Sequence, residues 1–251
     1  MSKPGVCSRI LLLFSLTGLC HIGTAAPMVD LFTSQGCYSC PPADEFLAEL
    51  IEERPGVVAL EYHVDYWDDL NYGSAGVWKD PFSDKAYTAR QSTYYYSRRL
   101  AGRPGVYTPQ MIVNGHTAQV GSRRQPVIEA LQHARPPLNV SATLSGTKVT
   151  ISAAYDADKW DSRARATLWF ALFDRRQETR VIRGENHGKT MRNHHLVRQL
   201  TPVSDFRKEG VEKTVNVPEL NNANTGCAVF IQVDNQGPIL AADYCVPEVL
   251  K

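Results

Sequence analysis

The sequence predicts an α/β domain followed by a small all-β, sandwich-like domain. Two observations carry this reading. Residues 26–135 alternate apolar strand-like runs with amphipathic helical stretches, whereas residues 138–247 hold short strands separated by turn residues. Arg135-Pro136-Pro137 marks the boundary between them. At 251 residues and 43% hydrophobic content, the chain is long enough to build two cores.

Residues 1–25 read as an export signal. Lys3 and Arg9 give a positive start, Ile10–Leu19 is apolar, and Gly23-Thr24-Ala25 places small residues before a cleavage point after Ala25. The apolar run is too short to span a bilayer, and no other segment approaches the required length, so no stable membrane span is expected. A periplasmic or extracellular location follows. The formal net charge of +1 gives no reason to expect a nucleic acid partner.

The first element is the apolar run Met28–Phe32, which suits a buried strand. Thr33-Ser34-Gln35-Gly36 breaks it, and Cys37-Tyr38-Ser39-Cys40 follows at once. Pro41 and Pro42 fit a first helical turn, where an N–H has no intrahelical partner. Beyond them Phe46, Leu47, Leu50 and Ile51 share one helical face. A C-x-x-C pair at a helix N-terminus favours a thiolate on its first cysteine, whose pKa can fall from ~8.5 to roughly 3.5–7. Cys37 is then the nucleophile and Cys40 the resolving thiol of disulfide exchange. An inert disulfide or half of a zinc site are the other readings. Zinc fits poorly, because no second Cys or His pair follows at ligand spacing.

Loss of the signal removes Cys7 and Cys20 and leaves four cysteines. Adjacency of Cys37 and Cys40 makes Cys227–Cys245 the natural second, structural disulfide. It would persist in an oxidising compartment.

Val57–Val64 is a near-continuous apolar run, the pattern of a buried parallel strand. It ends at His63-Val64-Asp65-Tyr66-Trp67, and strand C-termini of a parallel sheet share one ligand-bearing edge with Cys37. His63, Asp65, Trp67 and the intervening Tyr38 are therefore candidates for substrate binding or for tuning the thiol. A second helix is expected over 84–100, with a tyrosine-rich packing face. Gln110–Val113 and His116–Val120 form a hairpin about Asn114-Gly115. Pro109, entering this β-run, belongs at a strand start or in a cis turn. A third helix is expected over 122–134.

This order of elements looks like thioredoxin. More closely, residues 27–134 resemble a secreted thioredoxin-like family, domain of unknown function 1223. The matching stretches are LFTSQGCYSCPPAD at Leu31–Asp44, YHVDYW at Tyr62–Trp67, WKDPF at Trp78–Phe82 and VYTPQMIVNG at Val106–Gly115. The resemblance implies a thioredoxin-like fold for residues 26–135 and redox-active cysteines. It also implies a cis Thr108-Pro109 bond opposite Cys37, with Pro109 as a backbone platform beside the substrate sulfur. Common thioredoxins carry Trp-Cys-Gly-Pro-Cys; here Tyr38-Ser39 lie between the cysteines and Pro41 follows.

The second half is expected to hold strands at Leu138–Leu144, Lys148–Tyr155, Ala164–Phe173, Val211–Val217, Cys227–Val233 and Ile239–Cys245. Between them lie RGENHGKT at Arg183–Thr190 and HHLVRQLTP at His194–Pro202, which extend the resemblance more loosely. Glu185, His187, His194 and His195 would suit a metal if they converged, but neighbouring residues on a strand point to opposite faces. A polar hairpin covering the rim of the first domain is the expected role, with no metal and no cofactor. The function read from the sequence is exported thiol–disulfide exchange on protein or small-molecule thiols and disulfides. The alternatives are a soft-metal (copper) binding module or a non-catalytic envelope assembly factor.

Overall fold

The computed structural model describes residues 25–161 and 163–248. The expected export signal, with Cys7 and Cys20, lies outside them apart from Ala25. In chain order, β1 (Met28–Thr33) leads to α1 (Pro41–Glu53), β2 (Val58–His63), α2 (Lys85–Tyr96), β3 (Ala101–Gly102), β4 (Gln110–Val113), β5 (Thr117–Val120) and α3 (Arg124–His133). Then come β6 (Ser141–Ser145), β7 (Lys148–Ala153), β8 (Ala166–Arg180), β9 (Thr190–Phe206), β10 (Val211–Asn216), β11 (Thr225–Val233) and β12 (Ile239–Pro247).

Local chemistry accounts for the first half. Every residue of β1 and β2 is buried, as two-sided burial in a parallel pair requires. Their register runs from Met28↔Val58 to Thr33↔His63, so the ends of both strands reach one edge together. Asp84 caps α2 by accepting the Ala86 N–H at 2.8 Å. Tyr87, Arg90, Gln91 and Tyr94 form the buried stripe of that helix. Asn114 and Gly115 both take positive φ (53° and 66°), the geometry of a tight primed hairpin turn between β4 and β5. A Cβ on Gly115 would stand 2.5 Å from the Gly237 carbonyl oxygen, so glycine is needed there twice over.

The expected fold class, a thioredoxin-like α/β domain followed by a separate small β-sandwich, is not what the chain forms. All twelve strands join one mixed sheet in the order β10-β7-β6-β12-β11-β8-β9-β2-β1-β4-β5-β3. The element that overturns the expectation is β9, where the sequence predicts a polar hairpin over the rim of the first domain and not a long strand joining the two halves. It lies antiparallel to β8 from Ala166↔Phe206 to Arg180↔Thr190, and parallel to β2 at Glu61↔Leu196. Glu61 fastens the seam: its carboxylate accepts the His194 N–H at 2.8 Å and the Asn193 side-chain N–H at 2.6 Å.

Packing follows the same plan. One apolar cluster lies under α1 and α3, with Leu31, Phe46, Leu47 and Met111. A second, around Ile151, Leu168, Val229 and the Cys227–Cys245 disulfide, belongs to the later strands. The third is shared, with Phe32, Tyr62 and Tyr94 packed among Phe173, Ala228, Phe230 and Ala242. Fully burying a side chain of this size contributes roughly 1.5–3 kcal/mol. The two halves therefore share a core as well as a sheet.

Candidate functional site

The site begins where β1 ends. Cys37 N–H donates to the Ser34 carbonyl at 3.1 Å, and Cys40 N–H to the Cys37 carbonyl at 3.2 Å, which folds the loop tightly enough to close a Cys37–Cys40 disulfide. Cys40 is the N-cap residue of α1. Pro41 and Pro42 remove the first two helical N–H groups, and the next two, on Ala43 and Asp44, donate to the Cys40 carbonyl. What α1 offers a Cys37 thiolate is thus mainly its dipole, not free N–H donors. Both cysteines are 0% exposed, while Tyr38 between them is 64% exposed.

Thr108-Pro109 is a cis peptide. A Cβ on Gly121 would lie 3.0 Å from the Ala43 Cβ and 3.3 Å from the Pro109 Cβ. Pro109 therefore sits over the first turn of α1, beside the cysteine loop. Trp67 reaches the same place: its indole N–H donates to Thr108 Oγ1 at 2.8 Å, and its Cβ backs onto Gly36. Asp65 turns elsewhere. Its carboxylate accepts the Thr88 hydroxyl, tying the loop after β2 to α2.

His63 lies beneath the loop in a fully buried polar network. Its Nδ1 is 2.7 Å from Asp80 Oδ2 and its Nε2 is 2.8 Å from Glu61 Oε1. Burial alone would push the imidazole down, but the charge of Asp80, with its hydrogen bond and those of Glu61, lifts it to about 10. Burial likewise pushes the Asp80 carboxyl up, and the His63 imidazolium more than offsets this, holding it below the ordinary value. The same Asp80 oxygen accepts the Gln35 N–H at 2.7 Å, and the Gln35 amide donates to Asn193 Oδ1 at 2.8 Å. His63 thus acts on the cysteine loop through Asp80 and Gln35. Asp44, also buried, accepts the Thr33 hydroxyl at 2.7 Å with one oxygen; its other oxygen has no partner. Burial, then the charge of Glu61, raises its carboxyl well above the usual range.

The loop joining β8 to β9 binds the backbone of the cysteine loop. Asn186, itself fully buried, donates its side-chain N–H groups to the carbonyls of Gln35 and Cys37, each at 2.9 Å. Glu185 accepts the Tyr38 N–H at 2.9 Å. Lys189 donates to Asn186 Oδ1 at 2.8 Å and lies 4.3 Å from the centre of the Tyr38 ring.

The family described as protein of unknown function (DUF1223) matches residues 28–232. This chain belongs to the DUF1223 family. A crystal structure of protein AGR_C_4864 from Agrobacterium tumefaciens is 32% identical, covering 88% of this chain and 95% of that one, with a TM-score of 0.68. HBP35 of Porphyromonas gingivalis is similar in fold at 15% identity, covering 91% of this chain and 78% of that one, with a TM-score of 0.56. No curated protein matches.

Of the residues the sequence singles out in this DUF1223 chain, Cys37, Tyr38 and Cys40 form the disulfide loop, while Trp67, Thr108 and Pro109 lie against its neighbours Gly36 and the first turn of α1. His63 lies behind it, and Asp65 faces α2. Cys227 and Cys245 join β11 to β12 in the later core. Glu185, His187, His194 and His195 do not converge. His187 is exposed, and His195 packs on Phe173 with its Nδ1 3.1 Å from the Tyr244 hydroxyl. Among the described residues no group of three or more such ligands is placed to hold a metal ion. Sequence reasoning missed Asp44, Glu61, Asp80, Asn186 and Asn193. Glu61 carried a signal, a carboxylate inside a run of apolar residues that has to be paired once buried.

Proposed function

We propose that the chain is an exported thiol–disulfide oxidoreductase acting on polypeptide or small-molecule thiols and disulfides through Cys37 and Cys40. The observation that carries this reading is the disulfide-bonded Cys37–Cys40 pair at the start of α1, with cis-Pro109 close to the first turn of the same helix. From the reduced pair, the Cys37 thiolate attacks one sulfur of a substrate disulfide and displaces the other, which takes up a proton. Cys40 then loses its proton and attacks the Cys37 sulfur. The second substrate sulfur leaves as a thiolate, the substrate has gained two electrons, and Cys37–Cys40 is oxidised. The reverse sequence oxidises a dithiol.

Two disulfides are compatible with residence in an oxidising compartment. No helix among the described residues is long and apolar enough to cross a membrane. The test is to reduce the protein and label it with an alkylating agent at mildly acidic pH. Cys37 should react well before Cys40, and Cys37→Ser should abolish reduction of a polypeptide disulfide. Equal labelling of the two thiols, or undiminished turnover by Cys37→Ser, would overturn the proposal.

A further inference from the structure

Exchange requires an incoming sulfur to approach Cys37 in line with the Cys37–Cys40 bond. In the closed arrangement neither cysteine has any exposed surface. A segment about 150 positions away in sequence holds the backbone on both sides of Cys37. Asn186 takes the carbonyls of Gln35 and Cys37, and Glu185 takes the N–H of Tyr38. Lys189 braces this arrangement from outside by bonding Asn186 and lying over the Tyr38 ring.

The contacts are of a kind that can release. Glu185 is partly and Lys189 largely exposed, and the bond from the Tyr38 N–H to Glu185 lies at the surface. Gly184 precedes Glu185 and Asn186, and Gly188 precedes Lys189, with φ of 72° and 84°, so the loop folds through two positions that favour glycine. Backbone bonds from the Val181 N–H to the Lys189 carbonyl and from the Gly188 N–H to the Val181 carbonyl close the loop at its base, and the Gly184 N–H ties it to the Ala75 carbonyl.

We propose that Glu185, Asn186 and Lys189 form a latch that gates the Cys37–Cys40 disulfide: reaction with an external thiol proceeds only after these three release the peptide groups around Cys37. The three are positioning residues, and the gating role rests on the exchange function proposed above. Opening frees the carbonyls of Gln35 and Cys37 and the N–H of Tyr38 together, so it exposes the sulfurs and loosens the loop that carries them in one movement.

The experiment measures the rate at which dithiothreitol reduces Cys37–Cys40 in the oxidised full-length protein, at one pH and at physiological salt. Hydrogen bonds to charged or buried groups are strong enough that Asn186→Ala should accelerate reduction on the order of tenfold. Glu185→Gln and Lys189→Met should each accelerate it severalfold. Lys189→Met separates a latch from simple electrostatics. Removing a cation would slow an attacking thiolate if Lys189 only steered it, whereas releasing Asn186 speeds the reaction. Asn186 is buried and its variant can fail to fold; Glu185→Gln and Lys189→Met change exposed atoms and keep the test valid. Rates within twofold of the parent protein in both folded surface variants, or slower reduction of Lys189→Met, would overturn the latch. Dithiothreitol needs no physiological substrate, so an accelerated variant of a protein that does not reduce polypeptide disulfides would refute the exchange function and leave the latch standing.

Discussion

His63 is held in its charged form in the core by the carboxylates of Asp80 and Glu61, which couples the fold to pH. A group whose folded-state pKa is raised contributes its full stability below its unfolded value and loses that contribution as pH climbs through the folded one. For His63 that window runs from 6.5 to about 10. Stability in urea should therefore decline progressively across this range. His63→Gln should flatten the decline and cost about 3–5 kcal/mol at neutral pH, since it strands two buried carboxylates. Equal unfolding midpoints for the parent protein at both ends of the window would remove the argument. Asp44 titrates in the destabilising sense. Its carboxyl is raised by burial and by Glu61, so the unfolded chain ionises first as pH rises above about 4. Asp44→Asn does not titrate and can still accept the Thr33 hydroxyl. The stability of this variant relative to the parent should thus grow from acid to neutral pH. A relative stability independent of pH would show that Asp44 ionises freely in the folded state.

At the scale of the element, the decisive strand is also the one hardest to read. β1, β2, the β4–β5 hairpin and all three helices were legible because each carries a local signal: a continuous apolar run, an Asn-Gly turn, or a buried stripe. β9 carries none. Its sequence Thr190–Phe206 mixes Arg192, His194, Arg198 and Pro202 among its apolar residues. Its alternation is further broken at His195, which takes φ of 47°, and by register shifts against β8 at Leu168/Trp169 and Leu172/Phe173. Its buried polar residues make sense only once Glu61 and Gln35 are opposite them, and those partners lie more than 130 positions away. The same distance hid Asn186 as a partner of the cysteine loop, although the cysteine loop itself was evident. Asn193→Ala should accordingly cost about 1–3 kcal/mol, because it leaves Gln35 and Glu61 each short of a buried partner. It should also speed reduction of Cys37–Cys40 by loosening Gln35; a stability change without any change in that rate would separate the seam from the site. The Cys227–Cys245 disulfide spans 18 positions between β11 and β12. Replacing both cysteines with alanine should lower stability by about 2–4 kcal/mol, as read by chemical denaturation. Alkylation of Cys37 in the reduced protein should be unchanged.

Across the whole molecule, the shared core sets how the halves respond to each other. Phe230 on β11 is fully buried; its ring stacks on Trp169 and lies 5.3 Å beneath the Arg90 guanidinium from α2. Arg90 in turn pairs with Asp30 on β1 at 2.8 Å, and Tyr94 donates to the same oxygen while accepting from Gln232 on β11. A charge pair from the first half is thus covered by an aromatic ring and an amide from the second. Opening this interface would strip the guanidinium of its aromatic cover and remove the Gln232 amide from Tyr94, leaving Arg90 as the donor to that hydroxyl, so each half loses part of its interior when the other unfolds. Phe230→Ala should cost about 3–5 kcal/mol as a large-to-small change in a packed core. It should also shift one common transition, with loss of β-structure by circular dichroism and exposure of Cys37–Cys40 to reductant keeping the same midpoint. If β-structure were lost at a lower denaturant concentration while the disulfide stayed protected, the later strands would be unfolding by themselves. The shared core would then be a contact between two independent units, and the latch over Cys37 would have to hold without the strands that carry it.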